Sequence, residues 1–156
     1  MPHTKFYLAY GSNLNLDQMA FRCPGAKIAG MATLDDYRLL FRGSRTGAYL
    51  TVEPCKGSQV PVGVWEITEA DERALDRYEG YPSFYYKKTL RVTLRSEAFD
   101  LDDLQVDALI YIMHEDRPLG VPSSAYLSTC GEGYLDWGFD LDILETALRF
   151  VKREAC

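Results

Sequence analysis

Two short stretches hold the residues best suited to chemistry. The first is YLAYGSN, residues 7 to 13, where an apolar run breaks into a glycine, a hydroxyl and an amide. A strand that enters such a turn and leaves it as a helix exposes several backbone N–H groups with no intrahelical partner. Gly11 lets a ligand approach the backbone. The N–H groups of Gly11, Ser12 and Asn13 are then a donor set for a carboxylate, or for an oxyanion as it forms. The same composition also suits an ordinary strand-to-helix turn. It is not a phosphate loop, because the long glycine spacing and the Lys-Ser/Thr ending are absent.

The second is Glu79, in TEADERALDRYEG. Leu75, Tyr78 and Glu79 fall within one helical turn, with Asp71 and Ala74 beside them. Glu79 therefore borders the apolar stripe, in the last turn of the helix. The helix dipole disfavours a negative charge there, and partial burial disfavours it again. Both raise the carboxyl pKa, which suits a proton shuttle near neutrality. The competing reading is a rim glutamate that solvates a helix end.

Other chemistry-bearing residues are weaker. His3 is near the terminus. His114 precedes Glu115 and Asp116, with no serine or cysteine nearby to make a nucleophilic pair. Two histidines are few for a metal site. Cys130 falls in an apolar helix and reads as core. Tyr111 lies in an apolar strand, as a packing residue or with its hydroxyl toward a substrate. Asp35 and Asp36 fit a turn. Arg42 and Arg45 are either solvated or placed to attract an acidic group.

Elements must position these residues. A strand is predicted over Phe6 to Tyr10, starting almost at residue 1, then a short helix capped by Asn15 and closed by Pro24 and Gly25. YRLLFRG and AYLTVEP read as strands, CKGSQ as a turn, and VPVGVWEI as a strand whose Pro61 marks an edge or irregular start. Thr68 and Asp71 form a capping box for the helix that carries Glu79, and Gly80 and Pro82 end that helix. FYYKKTLRVTL and VDALIYIM follow as strands, the second central. SAYLSTCGEGYLDWG and DLDILETALRFVK read as helices, the last with Leu141, Leu144, Leu148 and Val151 on one face. Mostly strands, one middle helix, then helices indicate α+β with a mixed or antiparallel sheet, one that could curl into a small barrel.

The 156 residues suit one domain spanning 1–156. The formal charge of −6 argues against nucleic acid and anionic membranes as partners. No apolar run reaches spanning length, and no leader pattern opens the chain. Cys23, Cys55, Cys130 and Cys156 are scattered without a C-x-x-C pair, which argues against a disulfide framework or zinc knuckle. A cytoplasmic location follows. The run SFYYKK and the C-terminal helix are candidate patches for a homodimer.

Taken together, the chain resembles the gamma-glutamylcyclotransferase-like family, which includes the plant avirulence-induced proteins. YGSN follows the first strand, LDRYEGYP resembles the segment with the family's catalytic glutamate, and ALIYIM with PSSAYL and GEGYLDWGFD resembles the closing part of gamma-glutamylcyclotransferase proper. The resemblance implies a small mixed β-barrel with flanking helices. It implies cyclisation of a gamma-glutamyl amide, releasing 5-oxoproline and the amine, with neither metal nor organic cofactor. It maps catalysis onto Glu79 and substrate binding onto Tyr10, Gly11, Ser12, Asn13, Leu14 and Tyr111. The amine-side pocket would be walled by FRGSRTGAYL and the segment from Asp116 to Ser124. The amine could be an amino acid, a lysine side chain or a biosynthetic intermediate. A non-catalytic binding protein on the same scaffold is the other class of reading.

Overall fold

The computed structural model describes residues 4–44, 46–96 and 104–154. His3, Arg45 and Cys156 lie outside them. Among the described residues, five strands and four α-helices follow in the order β1 (Thr4–Ala9), a 3-10 turn (Ser12–Leu14), α1 (Leu16–Arg22), β2 (Lys27–Arg42), β3 (Tyr49–Thr68), α2 (Glu69–Tyr78), β4 (Tyr85–Leu94), β5 (Leu104–Met113), α3 (Ser124–Trp137) and α4 (Asp142–Glu154). The fold is mixed α+β.

One sheet runs β2-β3-β1-β5-β4. β1 pairs antiparallel with β3 and parallel with β5, where Phe6 and Tyr7 face Ala108 and Leu109. β3, β1 and β5 each have a neighbour on both sides, which fits the buried apolar runs Tyr7–Ala9 of β1 and Ala108–Met113 of β5. The expected barrel is only partly realised. The outer strands β2 and β4 meet through one isolated bridge, with Met31 and Arg95 exchanging two backbone hydrogen bonds of 2.9 Å each. Among the described residues the seam has no continuous ladder, so the sheet is curled rather than a closed barrel.

The expected turns at Asp35–Asp36 and Cys55–Gln59 do not exist as chain reversals. β2 and β3 are single long strands, and the two turn-like sequences sit opposite each other within the ribbon. Asp35 pairs with Gln59 and Tyr37 with Pro54, so the ladder bulges between them. Asp36 has φ 63°, and its Oδ1 accepts the Gly57 N–H at 2.9 Å. An Asp tolerates the left-handed region, and a bulge needs a residue that does.

The helices follow local signals. Asn15 caps α1 by accepting from Gln18 N–H at 3.1 Å. Thr68 and Asp71 form the full capping box of α2. α2 ends at Tyr78, and Gly80 at φ 63° turns the chain away. α4 lays Leu144, Ala147 and Val151 into the core against β2. No helix among the described residues is long and apolar enough to cross a membrane.

Candidate active site

The loop after β1 is held in place from below. Trp65 on β3 donates its indole N–H to the Asn13 carbonyl at 3.1 Å, and Trp137 on α3 donates to the Leu14 carbonyl at 2.7 Å. The two indoles meet edge to face, 5.6 Å apart. Tyr134 on α3 donates to the Tyr10 carbonyl at 3.3 Å. α3 can come this close because Gly133 has no side chain: a Cβ there would lie 2.7 Å from the Asn15 backbone nitrogen. With Tyr10, Asn13 and Leu14 anchored through their carbonyls, the N–H groups of Gly11, Ser12 and Asn13 stand at the start of the 3-10 turn. In such a turn they have no intrahelical partner.

These residues line a cavity of about 320 Å³, within the range that takes a small molecule. Its inner wall is Tyr7, Tyr10, Tyr111 and Glu79, and its outer wall includes Tyr49, Phe84 and Tyr126. Tyr49 meets both of its aromatic neighbours edge to face, Tyr126 at 5.0 Å and Phe84 at 6.2 Å. The site is thus an aromatic pocket with one carboxylate and a row of backbone donors.

Glu79 caps the C-terminus of α2, its N–H bonded to the Leu75 carbonyl at 2.8 Å. Its Oε1 accepts from the Asn13 side-chain amide at 3.2 Å, and the same nitrogen donates to the Tyr7 hydroxyl at 2.8 Å. Burial pushes the Glu79 carboxyl up to about 7, against the opposing pull of the Arg22 charge and the Asn13 hydrogen bond. Desolvation of the charged form outweighs both. Burial, and then the Glu79 charge, also hold the Tyr7 and Tyr10 hydroxyls well above their ordinary value. Near neutrality Glu79 can therefore take up and return a proton while the tyrosines beside it stay neutral.

Beneath Glu79, Tyr111 donates to Asp76 Oδ1 at 2.5 Å, and Lys87 bridges Asp76 and Glu72 at 3.1 and 2.9 Å. Burial first, then the hydrogen bond to Asp76, push the Tyr111 hydroxyl far above its ordinary value.

A family model described as gamma-glutamyl cyclotransferase, AIG2-like, matches residues 7–128. The chain belongs to this family. A human gamma-glutamylcyclotransferase is 27% identical over 148 residues, covering 89% of this chain and 74% of the relative. A solved gamma-glutamyl cyclotransferase superposes with a TM-score of 0.79 at 24% identity, covering 93% of this chain and 86% of that one. A human protein described as uncharacterized superposes with a TM-score of 0.78 at 26% identity, covering 92% and 86%.

The cavity gathers most residues singled out from sequence. Tyr10, Gly11, Ser12, Asn13, Glu79 and Tyr111 all line it. Tyr10 and Tyr111 do so with their hydroxyls already committed, Tyr10 to the Tyr111 carbonyl at 2.7 Å and Tyr111 to Asp76. Leu14 is a correction. It lies outside the pocket lining and is wholly buried, wedged against Gly63 and Gly133. Its N–H is also taken, by the Gly11 carbonyl at 3.0 Å. An apolar side chain at the end of the turn packs inward because β3 and α3 close over it.

The amine-side walls are redrawn as well. Of FRGSRTGAYL, Tyr49 and Leu50 reach the cavity. Arg42 does not: it pairs with Glu53 and donates to the Arg117 carbonyl at 2.8 Å. Asp116 to Ser124 contributes no lining residue, whereas Tyr126 just beyond it does. His114 points elsewhere, its Nε2 2.8 Å from the Pro82 carbonyl oxygen. Sequence reasoning missed Tyr7, Tyr126 and Arg22. Tyr7 lies three residues before the end of the predicted strand, on the opposite parity to Tyr10, so alternation gave no signal for it. Arg22 carried only the mark of a basic residue in the last turn of a helix.

Proposed function

We propose that this chain cyclises a gamma-glutamyl amide, releasing 5-oxoproline and the free amine or amino acid. The observation that carries the reading is the Glu79 carboxyl, poised at about 7 in a pocket that also presents the Gly11–Asn13 loop.

The chemistry asks little of the protein beyond orientation and one proton carrier. The substrate's α-nitrogen attacks its own side-chain carbonyl, and holding the coiled conformer supplies much of the rate. The α-ammonium first gives a proton to Glu79. Attack forms the new C–N bond and places negative charge on the former carbonyl oxygen, for which the loop N–H groups are the available donors. Glu79 then protonates the leaving nitrogen as the amide C–N bond breaks, and carries the second α-nitrogen proton the same way. The α-nitrogen loses two protons and the amine gains two, so the reaction balances without water. The same N–H groups could instead be assigned the substrate α-carboxylate.

The leaving portion would face the aromatic wall of Tyr49, Phe84 and Tyr126, and Arg42 is committed to Glu53 rather than to an acidic group on the amine. The described cysteines, Cys23, Cys55 and Cys130, are free thiols, which supports a reducing, cytoplasmic setting.

The test is product analysis on a panel of gamma-glutamyl amides, including gamma-glutamyl-lysine side-chain conjugates. Equimolar 5-oxoproline and free amine support the reading. Glutamate as the product would mean hydrolysis and would refute cyclisation. Binding without any turnover, across the panel, would favour the non-catalytic alternative.

A further inference from the structure

Arg22 is the last residue of α1 and does not line the pocket. It nevertheless touches the network that holds Glu79. Its guanidinium lies 3.4 Å from the centre of the Tyr78 ring. One end donates to the Asn13 side-chain oxygen and another to Gln18 Oε1 at 3.1 Å. Tyr78 is in turn fixed through a 3.1 Å hydrogen bond with Ser12 Oγ. One side chain thus connects α1, the loop after β1 and the end of α2.

The consequence lies in which way the Asn13 amide points. An asparagine side chain has one accepting oxygen and one donating nitrogen, and could present either to its neighbours. A guanidinium offers donors only. Its contact with Asn13 therefore pins the oxygen toward α1 and turns the nitrogen toward Tyr7 and Glu79, where it donates at 2.8 and 3.2 Å. From the sequence, Asn13 counts as a loop residue with a useful N–H. In the structure its side chain is the hydrogen-bond donor to the proton carrier, and Arg22 sets that polarity.

We propose that Arg22 is a positioning residue for the reaction, orienting the Asn13 amide so that it donates to Glu79 and supporting the carboxylate form of Glu79 through its charge. This rests on the cyclisation reading for its kinetic part, but not for its effect on Glu79 itself. The charge part is consistent with the direction in which Arg22 acts on Glu79, against burial. The other titratable groups facing Glu79 are Tyr7 from β1, Tyr10 just after it, Tyr85 from β4 and Tyr126 from α3. Burial keeps all four hydroxyls well above their ordinary value, so they are neutral where Glu79 titrates. Arg77 and Tyr78, on α2 itself, also border the pocket. A change in the titration of Glu79 on substituting Arg22 therefore reports on Arg22 and the amide it holds.

The experiment compares wild type with R22M and R22K, each first checked for a native circular dichroism spectrum and a cooperative melt. Two readouts are taken: the Glu79 carboxyl titration by carbon-13 NMR, assigned with E79Q, and the pH dependence of kcat/KM for 5-oxoproline release. R22M removes charge and orientation together, and is expected to move the Glu79 titration and the acid limb of the profile upward by about one unit or more. That is a roughly tenfold loss of kcat/KM below the transition, largely regained at high pH. R22K keeps the charge with a single-point donor and is expected to fall between. If R22M does not fold, an upward shift in R22K alone still supports the role. An unmoved Glu79 titration in a folded variant overturns the inference, whether activity is unchanged or falls equally at every pH. If wild type makes no 5-oxoproline while R22M still moves the titration, the cyclisation reading fails and the Arg22 role stands.

Discussion

Glu79→Gln should make the protein more stable, in a way that depends on pH. The carboxyl has an ordinary value of 4.5 and is pushed to about 7 by burial. A raised folded pKa means that the native state holds the proton more tightly than the unfolded chain does. Below about pH 4.5 both states are protonated and the residue imposes no penalty. Between 4.5 and 7 the unfolded chain ionises first, and stability falls as pH rises. Above 7 the full penalty is present. The shift of two to three units corresponds to about 3 kcal/mol, an upper value because the pocket is open to water on one side. Glutamine keeps the shape and an oxygen that can accept from Asn13, without the charge. Urea denaturation of wild type and E79Q at pH 4.5, 6, 7 and 8 measures the difference directly. At pH 8 the variant should be more stable by up to about 3 kcal/mol, equivalent to a rise of roughly 6 to 12 °C in Tm for a chain of this size. At pH 4.5 the two should coincide. An E79Q protein that is less stable at pH 8, or a gap that does not change with pH, would refute the claim that burial strains this carboxylate.

Three further outcomes follow from the packing around the pocket. Gly133→Ala places a Cβ 2.7 Å from the Asn15 backbone, where no flexible atom can yield, so chemical denaturation should show a loss of about 1–3 kcal/mol and 5-oxoproline release should fall with it. Tyr111→Phe removes the donor to Asp76 and should cost about 1.5–3 kcal/mol with a change in kcat of less than tenfold; a hundredfold loss of kcat at unchanged stability would mean that the hydroxyl serves the substrate instead. Asp71→Ala breaks the capping box and the 3.2 Å bond from Gly25 N–H, so thermal melts should show a loss of about 1–2 kcal/mol while KM stays unchanged, because Asp71 faces away from the pocket lining.

The helices were legible because their signals are local. Thr68, Asp71 and Gly80 mark the two ends of α2 within thirteen residues, and Asn15 marks α1. Glu79 was legible for the same reason, since its place on a helix face follows from counting. The bulge between β2 and β3 was not, because Asp36 and Gly57 look like turn residues until pairing across 21 positions puts them opposite each other. The curl of the sheet depends on Met31 meeting Arg95, a contact that no local pattern encodes. Leu14 was misplaced because loop membership says nothing about which residue the tryptophans and glycines of β3 and α3 will bury. Arg22 was silent for a related reason. Its meaning comes from the orientation of Asn13 and the ring of Tyr78, which meet only after α1, the loop and α2 have packed.

The central claim is that Glu79 moves the protons of an intramolecular cyclisation. It is tested most directly by measuring binding and turnover of one gamma-glutamyl amide in E79Q, using calorimetry for affinity and 5-oxoproline release for rate. The account predicts affinity within a few fold of wild type and a loss of kcat of at least a hundredfold, the lower range expected for removing a general acid–base group. A folded E79Q protein that releases 5-oxoproline at the wild-type rate would contradict it.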